Sequence, residues 1–151
     1  MKPIHVHKKD FVAIVAILYI LLFVYTASSK LMHLGVFQLR LERMPYIAPY
    51  AQWISWGIPF LELVIVGLLL FNGYRRIGLF ASLILLGLFT TYITIVLKYS
   101  GSIPCSCGGI ISALGWKDHI LLNTTFMVLA VLGIILTKKV DIKSVNQNTV
   151  Q

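Results

Sequence analysis

The sequence has few charged residues and very few acidic ones. Only 12% of its 151 residues are charged, and five Asp and Glu stand against thirteen Lys and Arg, for a formal net charge of +8. A soluble domain carries about 25% charged residues. Because 58% of this short chain is hydrophobic, a soluble domain of this size could not bury all of its apolar surface. The composition excludes a disordered chain and argues against a soluble globule.

Motifs of common soluble enzymes are also missing. The sequence has no phosphate-binding glycine loop, no hydrolase nucleophile elbow and no haem-attachment motif. In a soluble protein the basic excess would suggest nucleic-acid binding. Here the basic residues flank long apolar runs, so lipid headgroups and orientation in a bilayer explain them better. We expect the lipid bilayer as a partner and no nucleic acid.

Four apolar segments are long enough to cross a bilayer. At 1.5 Å per residue, each reaches roughly the 30 Å of a hydrocarbon core. A helix satisfies its own backbone hydrogen bonds in lipid, so these segments are predicted to be helices. The fold class is therefore an all-α integral membrane protein, a four-helix bundle within 11–137, between a basic N-terminus at 1–10 and a polar tail at 138–151. The predicted spans are 11–29, 51–71, 77–97 and 119–137.

The first apolar run could instead be a cleaved signal peptide. It begins after basic residues and ends in small ones, but its seventeen apolar residues, Phe11–Ala27, exceed the roughly 7–15 of a signal sequence. We therefore expect it to be retained as a span.

The distribution of Lys and Arg predicts the orientation of the bundle. The segments 1–10, 72–76 and 138–151 hold eight of them within 29 residues, whereas the connections 28–49 and 98–118 hold five within 43. Cytoplasmic segments are the ones enriched in Lys and Arg, so both termini are expected inside, in an N-in/C-in topology. The outer loops, 30–50 and 98–118, would then face the periplasm across an inner membrane.

The second outer loop contains both cysteines, Cys105 and Cys107, followed by two glycines. A Cys-x-Cys disulfide closes a very small ring and stabilises little, whereas a strained, accessible disulfide exchanges readily. The extracytoplasmic side is also the oxidising one. The pattern favours a redox-active pair, with inert cysteines or a metal site as alternatives. Only His33 and His119 could add ligands for zinc, and no metal is expected.

Three ionisable residues lie in or beside the spans. A charged Glu62 near the bilayer centre would cost about 2.5–3.5 kcal/mol, so it needs a partner or a proton. Lys30 is the nearest candidate in sequence, although helical geometry leaves it about 10 Å shallower. Glu62 is then either a proton or ligand site or a hydrogen bond that fixes helix register. His119 fits an interfacial polar residue and is also placed to serve the thiols.

Several motifs together resemble those of the DoxX-like membrane proteins, especially the redox-associated group of the methylamine-utilisation protein MauE. The resemblance covers about residues 11–137 and implies a four-helix membrane protein that supports disulfide formation in exported proteins, with a thioredoxin-like partner. It implies Cys105 and Cys107 as the exchanging pair, and Lys30 and Glu62 as intramembrane family positions. The motifs are Ser29-Lys30-Leu31 with Phe37, Pro59-x-x-Glu62-Leu63, and Pro104-Cys105-Ser106-Cys107-Gly108-Gly109 followed by Trp116 and Asn123.

The sequence thus predicts an inner-membrane protein that exchanges thiols and disulfides with a thioredoxin-like or exported thiol protein. If the chain is an enzyme, its class is a thiol–disulfide oxidoreductase. A quinone between the helices near Glu62 is an analogy with other four-helix disulfide-generating proteins. The alternatives are a non-catalytic assembly or anchoring subunit and a carrier for a small solute or a metal.

The predicted orientation can be tested by labelling the cysteines in intact cells. A membrane-impermeant maleimide should react with reduced Cys105 and Cys107 from the periplasmic side, because the charge distribution places their loop there. Reporter fusions to the two termini should show both in the cytoplasm. Labelling that requires permeabilised cytoplasmic membranes would contradict this topology.

Overall fold

The computed structural model describes residues 3–99 and 116–148, and within these ranges every regular element is helical. Four of the helices contain apolar stretches long enough to cross a membrane, at Lys9–Met32, Ala48–Leu70, Arg75–Val96 and Asp118–Thr137. This confirms the all-α fold with four candidate spans. The elements are α1 (Pro3–Met32), α2 (Leu34–Glu42), a 3-10 turn (Ala48–Tyr50), α3 (Ala51–Leu70), α4 (Arg75–Tyr99) and α5 (Trp116–Asn148).

The helices extend beyond the apolar stretches that predict them. The first helix begins at Pro3, inside the basic N-terminal segment, where proline suits a first helical turn. The last helix continues to Asn148, inside the polar tail. The predicted outer loop 30–50 also contains the nine-residue α2. Its buried Phe37 and Leu41 are four positions apart and therefore share one face, which packs on α3.

The four long helices form a ring in which α1 and α4 each pack against both α3 and α5. Helices α3 and α4 are joined by a short turn and run antiparallel. On α1, the Tyr19 hydroxyl donates to the Phe126 carbonyl of α5 over 2.6 Å, while Val15 lies beside Gly133. The α1 numbers fall as the α5 numbers rise, so this pair is antiparallel too.

Helices α4 and α5 are also antiparallel. Asn123 bonds to Thr90, whereas Gly133 lies against Leu79. The start of α1, the α3–α4 turn and the end of α5 therefore lie at one end of the bundle. The opposite end carries α2, the start of α3, the end of α4 and the start of α5, and we call it the loop end. The segment 100–115, which contains both cysteines, is attached at the loop end.

Two apolar clusters hold the helices together. The larger contains the fully buried Tyr19, Leu69 and Leu79 and occupies the half of the bundle away from the loop end. The smaller joins α2 to the start of α3 through Phe37 and Ala51. Large apolar side chains such as Trp53 and Leu88 are mostly exposed and would face lipid. Because lipid is as apolar as these side chains, close packing and hydrogen bonds must hold the helices together.

The contact between α3 and α4 requires glycine at position 78. A Cβ atom there would lie 2.9 Å from Leu69 Cδ2 and 3.2 Å from the Leu69 backbone nitrogen, which cannot move aside. Gly78→Ala should therefore lower the free energy of unfolding by about 1–3 kcal/mol. Circular dichroism during denaturation in bicelles would measure this loss.

Gly67→Ala is the matched control, since nothing lies within 4 Å of a Cβ atom at that helical position. Alanine there should leave stability unchanged or raise it by up to about 1 kcal/mol. Equal losses in the two variants would refute a tight helix contact at Gly78.

Candidate functional site

A buried ion pair links α1 to α3. Lys30 Nζ donates to Glu62 Oε1 over 2.5 Å, and only 7% of the Glu62 side chain and 21% of the Lys30 side chain are exposed. The pairing suggested by the sequence thus forms despite the expected offset in depth, because the flexible four-carbon stem of lysine carries its charge to the carboxylate. A charged Glu62 inside the bundle requires such a partner.

The second carboxylate oxygen of Glu62 is buried and has no hydrogen-bond partner among the described residues. The Thr26 hydroxyl lies beside this carboxylate, but it donates to the Phe23 carbonyl of its own helix, over 3.3 Å. The ion pair therefore engages only one of the two carboxylate oxygens of Glu62. The free oxygen is available to a donor that enters the site.

His119 brings α5 to the same site. Its ring is 6% exposed, packs edge-on against Phe89 with 5.5 Å between ring centroids, and interacts electrostatically with Lys30. Neither ring nitrogen has a hydrogen-bond partner among the described residues. One turn further along α5, Asn123 donates to the Thr90 hydroxyl over 3.1 Å and is thereby anchored to α4. The imidazole is held by packing while its polar atoms remain unused.

These polar groups line a cavity of about 520 Å³ at the loop end of the bundle. All four long helices contribute to its walls, and most of the lining side chains are apolar. Helix α2 and the turn after it form the roof, through Phe37, Arg40, Leu41, Met44 and Ile47. Phe37 also lies over the Lys30 ammonium, 6.0 Å from it to the ring centroid. The roof is tied to α4 by the Tyr92 hydroxyl, which donates to the Pro45 carbonyl over 2.9 Å.

The arrangement has the chemistry of a ligand site. A large apolar chamber with a few convergent polar groups is the usual form of a small-molecule pocket. Here a carboxylate oxygen and an imidazole are both free to bond within a cavity that also contains two cationic side chains, Lys30 and Arg40. Among the described side chains, no three His, Cys, Asp or Glu come together as metal ligands.

The structure unites three of the five predicted site residues. Glu62, Lys30 and His119 line one cavity, although they come from three different helices. Cys105 and Cys107 lie outside the described residues, so their predicted role remains a prediction. His33, considered above as a zinc ligand, is exposed between α1 and α2.

The sequence prediction missed the roof of the cavity. Arg40 and Leu41 were not recognised as site residues, and Phe37 entered only as part of a family motif. The missed signal was the spacing of Phe37 and Leu41 by four positions, which marks a short amphipathic helix in a segment treated as a loop.

Removing one charge of the Lys30–Glu62 pair should lower the free energy of unfolding more than removing both charges. Lys30→Met leaves a buried carboxylate without its cation and should lower the free energy of unfolding by about 3 kcal/mol, near the lower limit for a buried pair because Lys30 is partly exposed. The double variant Lys30→Met/Glu62→Leu should recover most of that loss. Denaturation in bicelles followed by circular dichroism would measure both.

Lys9→Met provides the control, because it removes an exposed lysine from the same helix and should have little effect. If the double variant were as unstable as Lys30→Met, the unpaired carboxylate would not be the source of the loss.

Comparison with known proteins identifies the family. The curated proteins and the solved structures give no match to the chain. The family model for the methylamine utilisation protein MauE matches residues 8–136, which include three candidate spans and all but the last residue of the fourth. The chain therefore belongs to the MauE family of multi-pass membrane proteins.

Proposed function

We propose that this protein exchanges thiols and disulfides with a thioredoxin-like or exported partner through Cys105 and Cys107, on the extracytoplasmic side of the inner membrane. The observation that carries the proposal is the position of the two cysteines in the chain. They lie in the connection between α4 and α5, the helices that bring Phe89 and His119 into the cavity wall. Membership of the MauE family, with its redox-associated context, supports this function.

The connection that contains the cysteines is attached at the end of the bundle where the cavity lies. The connection starts after Tyr99 and ends before Trp116, both at the loop end of the bundle. His119 follows Cys107 by only twelve residues and is buried within the first turn of α5. The charge distribution assigns this end to the periplasm.

The proposed reaction is an exchange of one disulfide for another. A partner thiolate attacks one sulfur of the Cys105–Cys107 disulfide, a mixed disulfide forms and the other cysteine leaves as a thiolate. The second thiolate of the partner then displaces the bound cysteine. The partner loses two electrons and two protons to become a disulfide, and the pair gains them to become a dithiol. Because Cys105 and Cys107 are two residues apart, their disulfide is easily exchanged.

Cysteine substitution tests this reaction. In cells that depend on this protein to oxidise an exported reporter with one essential disulfide, Cys105→Ser and Cys107→Ser should each reduce activity to background. One of the two should trap a covalent partner that reductant releases. Alkylation mass shifts of membranes, before and after reductant, should show the wild-type pair partly oxidised.

Ser106→Ala is the matched control, because it changes the residue between the cysteines without removing a sulfur, and it should retain full activity. Full activity of both cysteine variants would overturn the mechanism. That result would favour the non-catalytic anchoring subunit, whose cysteines are dispensable.

A further inference from the structure

The cavity has the size and lining of a site for a lipid-soluble molecule. Its volume of about 520 Å³ lies within the roughly 300–1,000 Å³ of typical ligand pockets. Its walls are mainly Leu, Ile and Phe side chains from helices that cross the apolar part of the chain. An occupant must therefore present mostly apolar surface to the protein. The bilayer is the natural source of such a molecule.

The unpaired polar atoms define what the occupant must offer. Glu62 Oε2 is acceptor-only and requires a hydrogen-bond donor. A neutral His119 ring can donate from one nitrogen and accept at the other. A complementary ligand thus carries oxygen groups that donate in one form and accept in another. Buried polar atoms are normally hydrogen-bonded, so two groups in one cavity that have no partner among the described residues are suited to bind a polar ligand.

A fatty acid fits this set of groups less well. Its carboxylate would suit Lys30 and Arg40, but it offers no donor to Glu62 and would repel that carboxylate. A ring with two oxygen substituents offers hydroxyl donors when reduced and carbonyl acceptors when oxidised. Its flat face can also pack against aromatic side chains of the wall such as Phe89.

We propose that this cavity binds a lipid-soluble quinone and its quinol, with one hydroxyl of the quinol donating to Glu62 Oε2 and the second ring oxygen at His119. This proposal rests on the thiol–disulfide function above, for which the quinone is the electron acceptor. Two S–H bonds of Cys105 and Cys107 break and one S–S bond forms. The two electrons and two protons released reduce the two ring carbonyls of the quinone to the hydroxyls of a quinol.

Equilibrium binding of decylubiquinol to the purified protein in lipid nanodiscs, under anaerobic conditions, tests the site. The wild type should bind it saturably. Glu62→Gln and His119→Leu should each bind the quinol about tenfold more weakly, because the first replaces a charge-assisted hydrogen bond with a neutral one and the second removes a hydrogen bond. Thr124→Ala is the control on α5, since the Thr124 side chain is exposed and donates to its own helix at Ile120, and it should bind like the wild type.

A cavity-filling variant tests the site independently, in case the Glu62 and His119 variants do not fold. Ile58→Trp fills part of the chamber without changing a charged residue and should abolish binding. Absence of saturable binding to the wild type would overturn the proposal, as would unchanged affinity in Glu62→Gln, His119→Leu and Ile58→Trp. Saturable binding of oleate in place of decylubiquinol would also overturn it and would identify a fatty-acid site.

Two further measurements separate this inference from the proposed function. The Cys105→Ser/Cys107→Ser variant should bind decylubiquinol like the wild type, and anaerobic mixing of the reduced wild type with decylubiquinone should yield one quinol per disulfide. If the cysteines prove dispensable in cells while binding persists, the thiol function fails and the binding site stands. If the cysteines are essential but decylubiquinol does not bind and decylubiquinone does not oxidise them, the quinone inference fails and the thiol function stands.

Discussion

The pairing of Lys30 with Glu62 is the constraint on which the loop end of the bundle depends. The bilayer offers no water to solvate either charge, so α1 and α3 must meet at the depth where the two side chains touch. This fixes the register of the two helices. It also brings the end of α1 against the interior, so the chain must turn at once into α2, whose Phe37 then covers the lysine.

The bundle is consequently divided along its length. Away from the loop end, Tyr19, Leu69 and Leu79 are completely buried, and a Cβ atom at Gly78 would collide with the neighbouring helix. At the loop end the same four helices surround a chamber of about 520 Å³. Packing density provides stability in one half, and the other half holds the incompletely satisfied polar groups Glu62 and His119. A site built on such a rigid base can hold its groups in fixed positions.

The sequence was sufficient to predict the four spans and much less of the site. A long apolar run predicts a membrane-spanning helix directly, because a helix satisfies its own backbone hydrogen bonds in lipid. The pairing of Glu62 with Lys30 was predictable from the cost of an isolated charge. The position of His119 beside this pair was not predictable, because it depends on how α5 packs against α1 and α4. The roof was missed because nine residues of α2 produce too short a periodic signal to stand out from a connection.

The hydrogen bond from Tyr92 to the Pro45 carbonyl has a mechanical consequence. It fastens the roof of the cavity to α4, the same rigid helix that leads into the cysteine-bearing connection. A tilt of α4 therefore displaces the roof and the start of that connection together.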